Sequence, residues 1–223
     1  MTQRLEAPSK VEIALLEPFA GLTLDRIVVP STAAQVDDAA ADLAAARFVG
    51  FDTESKPVFA KGEASDGPHV VQFATLERAY IFQLHRPECR EAVGALLVSI
   101  DVVKVGFGLR SDQDQLPRKL GVHPRAVLDL NAVFRRHGYR RAIGVKAAVA
   151  VVFKQKFQKS RRMTTSNWAR QQLMPNQLMY AANDAYAAVR VLDALGLSEA
   201  ELPITDVARP ADGSPASAAR PSH

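Results

Sequence analysis

Residues 48–54 read Phe-Val-Gly-Phe-Asp-Thr-Glu, and the organisation of the chain follows from how this stretch is interpreted. Phe48 to Thr53 is short, apolar and rich in β-formers, the pattern of a buried strand. Side chains two apart in a strand point to the same face, so Asp52 and Glu54 leave the strand end together. Like charges a few ångströms apart repel and raise each other's pKa, which makes the pair costly unless a cation neutralises it. A D-x-E pair that merely opens a solvated loop is the plainer alternative. If the pair does hold a cation, such hard oxygen ligands suit Mg2+ or Mn2+.

On the N-terminal side of this strand, Arg26 to Pro30 reads as a short strand, and Ser31 or Thr32 can cap an alanine-rich helix reaching about Ala46. On its other side, the apolar runs His69 to Ala74 and Ala79 to Leu84 flank the polar Thr75-Leu76-Glu77-Arg78, which predicts an antiparallel hairpin. Pro87 to Ser99 has helical spacing, Val102 to Phe107 reads as a buried strand, and Ser111 to Leu120 as a helix closed by Gly121. A further β-α unit opens at Ala126 to Leu130. The last long helix runs from Pro175, well placed at the first helical position, to about Leu195, where Gly196 ends it. A meander followed by alternating strands and helices predicts an α/β fold: a mixed sheet with helices on its faces.

The 223 residues suffice for one main domain with its own core. The expected layout is an N-terminal arm over residues 1–25 that packs on the domain, the domain itself over 26–197, and a tail over 198–223. The tail is rich in Pro, Ala and Ser and is expected to be disordered. No apolar run is long enough for a membrane helix, and the acidic N-terminus lacks a signal-peptide core, so the expectation is a cytoplasmic protein without membrane contact. Cys89 is the only cysteine, which excludes an intrachain disulfide and a thiolate metal cage. Neither an internal repeat nor a Gly-rich phosphate loop is present, so nucleotide-cofactor chemistry has no support.

Two further acids stand out. On the last helix Tyr180 and Asp184 are four apart and share a face among small apolar neighbours, where an acid either enters a site or simply favours the N-terminal half of a helix. Asp112 lies four residues after Gly108, in the first turn of a helix that follows a strand, with Asp114 as its rival.

Charge is segregated along the chain. Residues 130–183 contain no Asp or Glu but eleven Lys and Arg, so the net +4 is +11 there and −7 elsewhere. Scattered surface basicity is the simple reading, but a span this long without one acid favours attraction of phosphates.

Four motifs carry a family resemblance: Phe-Asp-Thr-Glu at 51–54, Val-Gly-Phe-Gly-Leu-Arg-Ser-Asp at 105–112, Ser-Asn-Trp at 166–168, and Tyr-Ala-Ala-Asn-Asp-Ala-Tyr-Ala at 180–187. Together, over roughly Arg26 to Leu195, they resemble the DEDD 3′-5′ exonucleases. Tyr180 four residues before Asp184 matches the tyrosine branch, which includes the exonuclease domain of the Werner-syndrome helicase and ribonuclease D. The resemblance implies an RNase H-like mixed sheet and hydrolysis of single-stranded or 3′-terminal DNA or RNA to nucleoside 5′-monophosphates. It further implies two divalent ions, Mg2+ or Mn2+, held by Asp52, Glu54, Asp112 and Asp184. It favours Asp112 over Asp114, makes Tyr180 the residue that orients the attacking water, and makes Trp168 a brace for the last helix.

Within the basic span, Lys154, Lys156, Lys159, Arg161 and Arg162 are the expected phosphate contacts; Phe153 and Phe157 are expected in the core rather than stacked on bases. Ribonuclease D carries helical modules after its catalytic domain, and the segment after Leu195 offers none, so the expectation is a bare catalytic module. The competing reading is a silent nucleic-acid-binding or scaffold protein of the same fold, against which all four acids and the tyrosine are present. A phosphatase-like hydrolase of small esters would leave the basic span unexplained.

Overall fold

The computed structural model describes residues 5–58 and 65–205. In chain order the elements are α1 (Lys10–Ala14), β1 (Glu17–Pro18), β2 (Ile27–Val28), α2 (Ala33–Ala44), β3 (Phe48–Glu54), β4 (Val70–Ala74), β5 (Ala79–Gln83), α3 (Pro87–Val98), β6 (Val103–Gly106), α4 (Arg110–Leu120), β7 (Val127–Asp129), α5 (Leu130–Arg136), α6 (Val145–Phe153), β8 (Gln155–Lys156), α7 (Arg161–Thr164) and α8 (Pro175–Leu195). Thr32 caps α2 by accepting from the Gln35 amide, and Gly121 and Gly196 close α4 and α8 in left-handed conformation, as their positions predict.

Six strands form a sheet in the order β2-β5-β4-β3-β6-β7. The β3-β4-β5 meander is antiparallel, whereas β2 joins β5, and β6 and β7 extend β3, in parallel. This is the mixed sheet expected, with β3 at its centre.

The two faces of β3 divide the labour. Val49 and Phe51 point into one core layer with Leu43 of α2 and Val93 of α3. Gly50 faces α8, and so closely that a Cβ there would sit 1.9 Å from the Ala185 carbonyl oxygen. The missing side chain lets α8 lie against the strand backbone, and alternation then turns Asp52 and Glu54 toward the same helix. On that side Ala181, Ala182 and Ala185 pack with Trp168 and Val70 in a second apolar layer.

The arm is built into the molecule. β1 pairs in parallel with β8, the Phe19 amide donates to the Lys156 carbonyl at 3.0 Å, and the Phe19 ring lies 5.4 Å from Phe153 and 6.0 Å from Phe157. Both of those phenylalanines belong to the apolar layer around α6 and α8, so they pack in the core as expected. Residues 198–205, which composition assigns to a tail, also pack: Glu199 pairs with Arg47, Leu202 is buried, and Thr205 bridges Val127. The remainder of the expected tail lies outside the described residues.

Candidate metal and catalytic site

Asp52, Glu54 and Asp184 each offer a carboxylate oxygen within 4.8 Å of the others. Two come from the end of β3 and one from the middle of α8, so the close strand-helix approach at Gly50 is what assembles them. Asp112 joins from the first turn of α4, where its Oδ1 accepts a hydrogen bond from the Thr53 hydroxyl between the two β3 acids. Asp112 is buried and Asp114 exposed, which separates the two rivals. Its charge adds to the repulsion felt by Asp52.

Asp129 was not singled out by sequence, yet it braces the turn that delivers Asp112. Its carboxylate accepts from the amides of Gly108 (3.1 Å), Leu109 (3.3 Å) and Asn131 (2.9 Å), tying the end of β7 to the start of α4. An Asp at a strand end before a helix is a capping signal, and the third amide is that cap.

All four acids are held above their ordinary pKa. Burial comes first in each case; repulsion by Asp184 and Asp112 adds to it for Asp52, and repulsion by Asp52 and Asp184 adds to it for Glu54, which is pushed up to about 9. Burial likewise raises Asp112 and Asp184, the latter in spite of a cation beside it. That cation is Lys159, whose Nζ lies 2.7 Å from Asp184 Oδ2 and 5.2 Å from the centre of the Tyr180 ring. Burial alone would lower the Lys159 pKa, but attraction by Asp184 and Asp52 outweighs it and raises it instead.

The donor set suits a hard divalent cation. It is all oxygen and mutually repelling. Among the described residues the buried Asp184 Oδ1 has no hydrogen-bond partner, nor does the amide of the fully buried Gln72, directly across the sheet from Asp52. A positive charge at this point relieves both the repulsion and the unpaired oxygen.

Tyr180 stands on the rim of the cluster. Its hydroxyl is 3.3 Å from the Thr164 hydroxyl and its ring packs 5.9 Å from that of Trp168, which is almost fully buried and so braces α8. Burial, followed by repulsion from Asp184, raises the phenol above its usual pKa. Gln177, a buried residue that sequence reasoning passed over, donates to Ser166 Oγ (2.9 Å) and to the Asn167 carbonyl (3.2 Å), fixing the Ser-Asn-Trp segment to α8.

The five expected phosphate contacts part company. Lys159 enters the acid cluster. Lys154 turns back to donate to the Val151 carbonyl (2.9 Å), and Lys156 donates to the Ala14 carbonyl of the arm (3.1 Å). Arg162 is exposed on α7, and the Arg161 side chain lies outside the described residues. Lys146, not anticipated, donates to the Lys159 carbonyl at 3.3 Å and so supports the segment that carries Lys159.

The sheet order and the carboxylates gathered between β3 and α8 define an RNase H-like nuclease fold. A family model described as 3′-5′ exonuclease matches residues 27–198, and the chain belongs to that family. It is 29% identical over 178 residues to a 3′-5′ exonuclease of Arabidopsis thaliana, covering 73% of this chain and 61% of that protein. It is 26% identical over 150 residues to the bifunctional 3′-5′ exonuclease/ATP-dependent helicase WRN of Mus musculus, covering 66% of this chain and 11% of that one. The chain thus spans less than two thirds of either curated relative. Its fold matches that of Trypanosoma brucei RNase D in complex with the RNA U12 at a TM-score of 0.68 and 20% identity, over 88% of this chain and 68% of that one.

Proposed function

We propose that this chain is a metal-dependent 3′-5′ exonuclease that releases nucleoside 5′-monophosphates from single-stranded or 3′-terminal nucleic acid. The observation that carries the proposal is the convergence of Asp52, Glu54 and Asp184 within 4.8 Å, with Asp112 bound to Thr53 between them, in a chain of the 3′-5′ exonuclease family. Asp52, Glu54, Asp112 and Asp184 would hold two divalent ions, Mg2+ or Mn2+. When bound, such ions supply an activated water and neutralise charge at the leaving 3′ oxygen.

The chain's own groups do the rest. Tyr180, whose phenol is held above its usual pKa by burial and then by repulsion from Asp184, is proposed to act as a hydrogen-bond donor that orients the attacking water. Lys159, already among the carboxylates, is proposed to offer its ammonium to a phosphate oxygen of the substrate. Arg161 and Arg162, at the start of α7, and the neighbouring Lys154 and Lys156 are proposed to attract the strand backbone, a contribution that salt weakens.

The test is a 5′-labelled single strand, as DNA and as RNA, incubated with Mn2+ or Mg2+. The expected product is a ladder that shortens from the 3′ end, stops when the 3′ end is blocked, and disappears in EDTA. Internal cuts on a 3′-blocked strand, or undiminished cleavage in EDTA, would overturn the proposal.

A further inference from the structure

β4 reads Val-Val-Gln-Phe-Ala over residues 70–74, and all five residues are buried. Its polar member, Gln72, is fully buried. In the strand register Gln72 stands opposite Asp52 of β3 on one side and Ile81 of β5 on the other. Directly opposed side chains share a face of the sheet, so Gln72 points with Asp52 toward α8. Val70 and Ala74, two residues away along β4, lie on the same face, and with Ile81 they belong to the apolar layer that holds Ala181, Ala182 and Ala185.

Among the described residues neither Oε1 nor Nε2 of Gln72 has a hydrogen-bond partner. The other two buried glutamines are treated differently. Gln83 Nε2 donates to the Arg170 carbonyl at 2.9 Å, and Gln177 both donates to Ser166 Oγ at 2.9 Å and accepts from the Met174 amide at 2.9 Å. A buried amide without partners costs more than an apolar side chain of the same size, so packing alone favours Leu or Met at this position. Val70, Ala74 and Ile81 give the Gln72 amide nothing to bond, whereas the Asp52 carboxylate across the strand pair is an acceptor.

Asp52 has acceptor capacity for both an amide and an ion. Its Oδ1 takes the Thr53 amide at 3.0 Å, and a carboxylate offers about four lone-pair sites over its two oxygens. Groups that hydrogen-bond the ligands of a metal fix how those ligands are turned, and removing such a group typically weakens metal binding or activity about 10- to 100-fold.

We infer that Gln72 is a positioning residue of the metal site: when an ion is bound, its amide donates to the Asp52 carboxylate and sets the orientation in which Asp52 meets that ion. The inference rests on the metal-dependent reading of the four acids and deepens it, since it gives the cluster a neutral donor from β4, a strand that carries none of the acids.

The test is calorimetric titration of the full chain with Mn2+, alongside Tm in EDTA. Gln72→Met keeps the side chain's approximate volume and removes the amide, so Mn2+ affinity is expected to fall about 10- to 100-fold. The Tm in EDTA should stay level or rise, because an unpaired buried amide is gone. Gln72→Leu serves if the first variant does not fold. In an Asp52→Ala background, where the acceptor is missing, the same substitution should change Mn2+ affinity by about twofold or less, within the scatter of such cycles. Unchanged Mn2+ affinity in Gln72→Met overturns the positioning role, as does an undiminished loss in the Asp52→Ala background. A Tm in EDTA that falls together with the affinity also overturns it, since Gln72 would then be a packing residue. A wild type that binds no Mn2+ overturns the metal-dependent reading itself.

Discussion

Replacing Lys159 by Met removes a positive charge from the carboxylate cluster while keeping most of the stem that packs beside Tyr180. At 2.7 Å from Asp184 the ammonium is worth about 6 kcal/mol of Coulomb attraction at an effective dielectric of roughly 20. Desolvation offsets much of that, and losing one partner of a buried pair typically costs about 3–5 kcal/mol. The Lys159 side chain is 30% exposed and Asp184 can take up a proton once its partner is gone, so the expected loss is about 2 kcal/mol. For a domain of this size that corresponds to a Tm lower by about 4–8 °C in EDTA. With saturating Mn2+ the gap should close to about 2 °C or less, because the ion supplies the charge that the lysine did. Differential scanning fluorimetry of wild type and Lys159→Met, with and without Mn2+, reads both values. Equal Tm values in EDTA, or a gap that Mn2+ leaves unchanged, would refute the view that Lys159 acts as the cluster's resident cation.

Other perturbations separate assembly of the site from its chemistry. Gly50→Ala drives a methyl group toward the Ala185 carbonyl and should cost about 1–3 kcal/mol, and it should also weaken Mn2+ binding measured by calorimetry although every acid is still present. Tyr180→Phe should lower kcat roughly a hundredfold in single-turnover assays with little change in Tm, since the hydroxyl's protein partner is the Thr164 hydroxyl at 3.3 Å. Lys104 is fully buried, donates to the carbonyls of Ser99 (2.7 Å) and Val102 (2.8 Å), and has its pKa lowered to about 7, by burial above all. Between that value and about 10.4 the unfolded chain binds more protons than the native one, so this group's contribution to stability rises with pH. The Tm of wild type relative to Lys104→Met should therefore increase from pH 7 to pH 10; a difference that is flat or falls would contradict the assignment.

Much of the frame was legible because long periodic segments carry their own signals. The hairpin of β4 and β5, the caps of α2 and α4, and both ends of α8 lie where residue pattern and capping chemistry predict them. The strands β1 and β8 were not legible, because Glu17–Pro18 and Gln155–Lys156 contain none of the β-branched residues that mark β2, and so the means by which the arm attaches stayed hidden. The helix α5 completes the β-α unit expected from Ala126 to Leu130, whereas α6 was not legible, because the apolar run Val145–Phe153 is too uniformly hydrophobic to show a helical period.

At the site, the D-x-E alternation implies a shared face for Asp52 and Glu54, and the structure shows it. Asp112 depended on the family resemblance, since helix position alone leaves Asp114 open. The direction of Lys159 could not be read, because charge spacing says that a cation is present and not which neighbour it meets. Gly50 was equally silent: only the packed structure shows that its missing side chain sets the distance between β3 and α8, and with it the distance between Asp52 and Asp184.

The central claim is that these acids are kept close together, against their mutual repulsion, for catalysis with metal ions. Asp52→Asn tests it most directly, since the substitution keeps the oxygen that accepts from the Thr53 amide at 3.0 Å while removing one like charge. Shortening of a 5′-labelled strand from its 3′ end in Mn2+ should fall at least a thousandfold, on the order of what loss of an essential catalytic group costs, while the Tm in EDTA stays level or rises. Wild-type shortening by the variant, or a loss of activity that tracks a fall in Tm, would contradict the account.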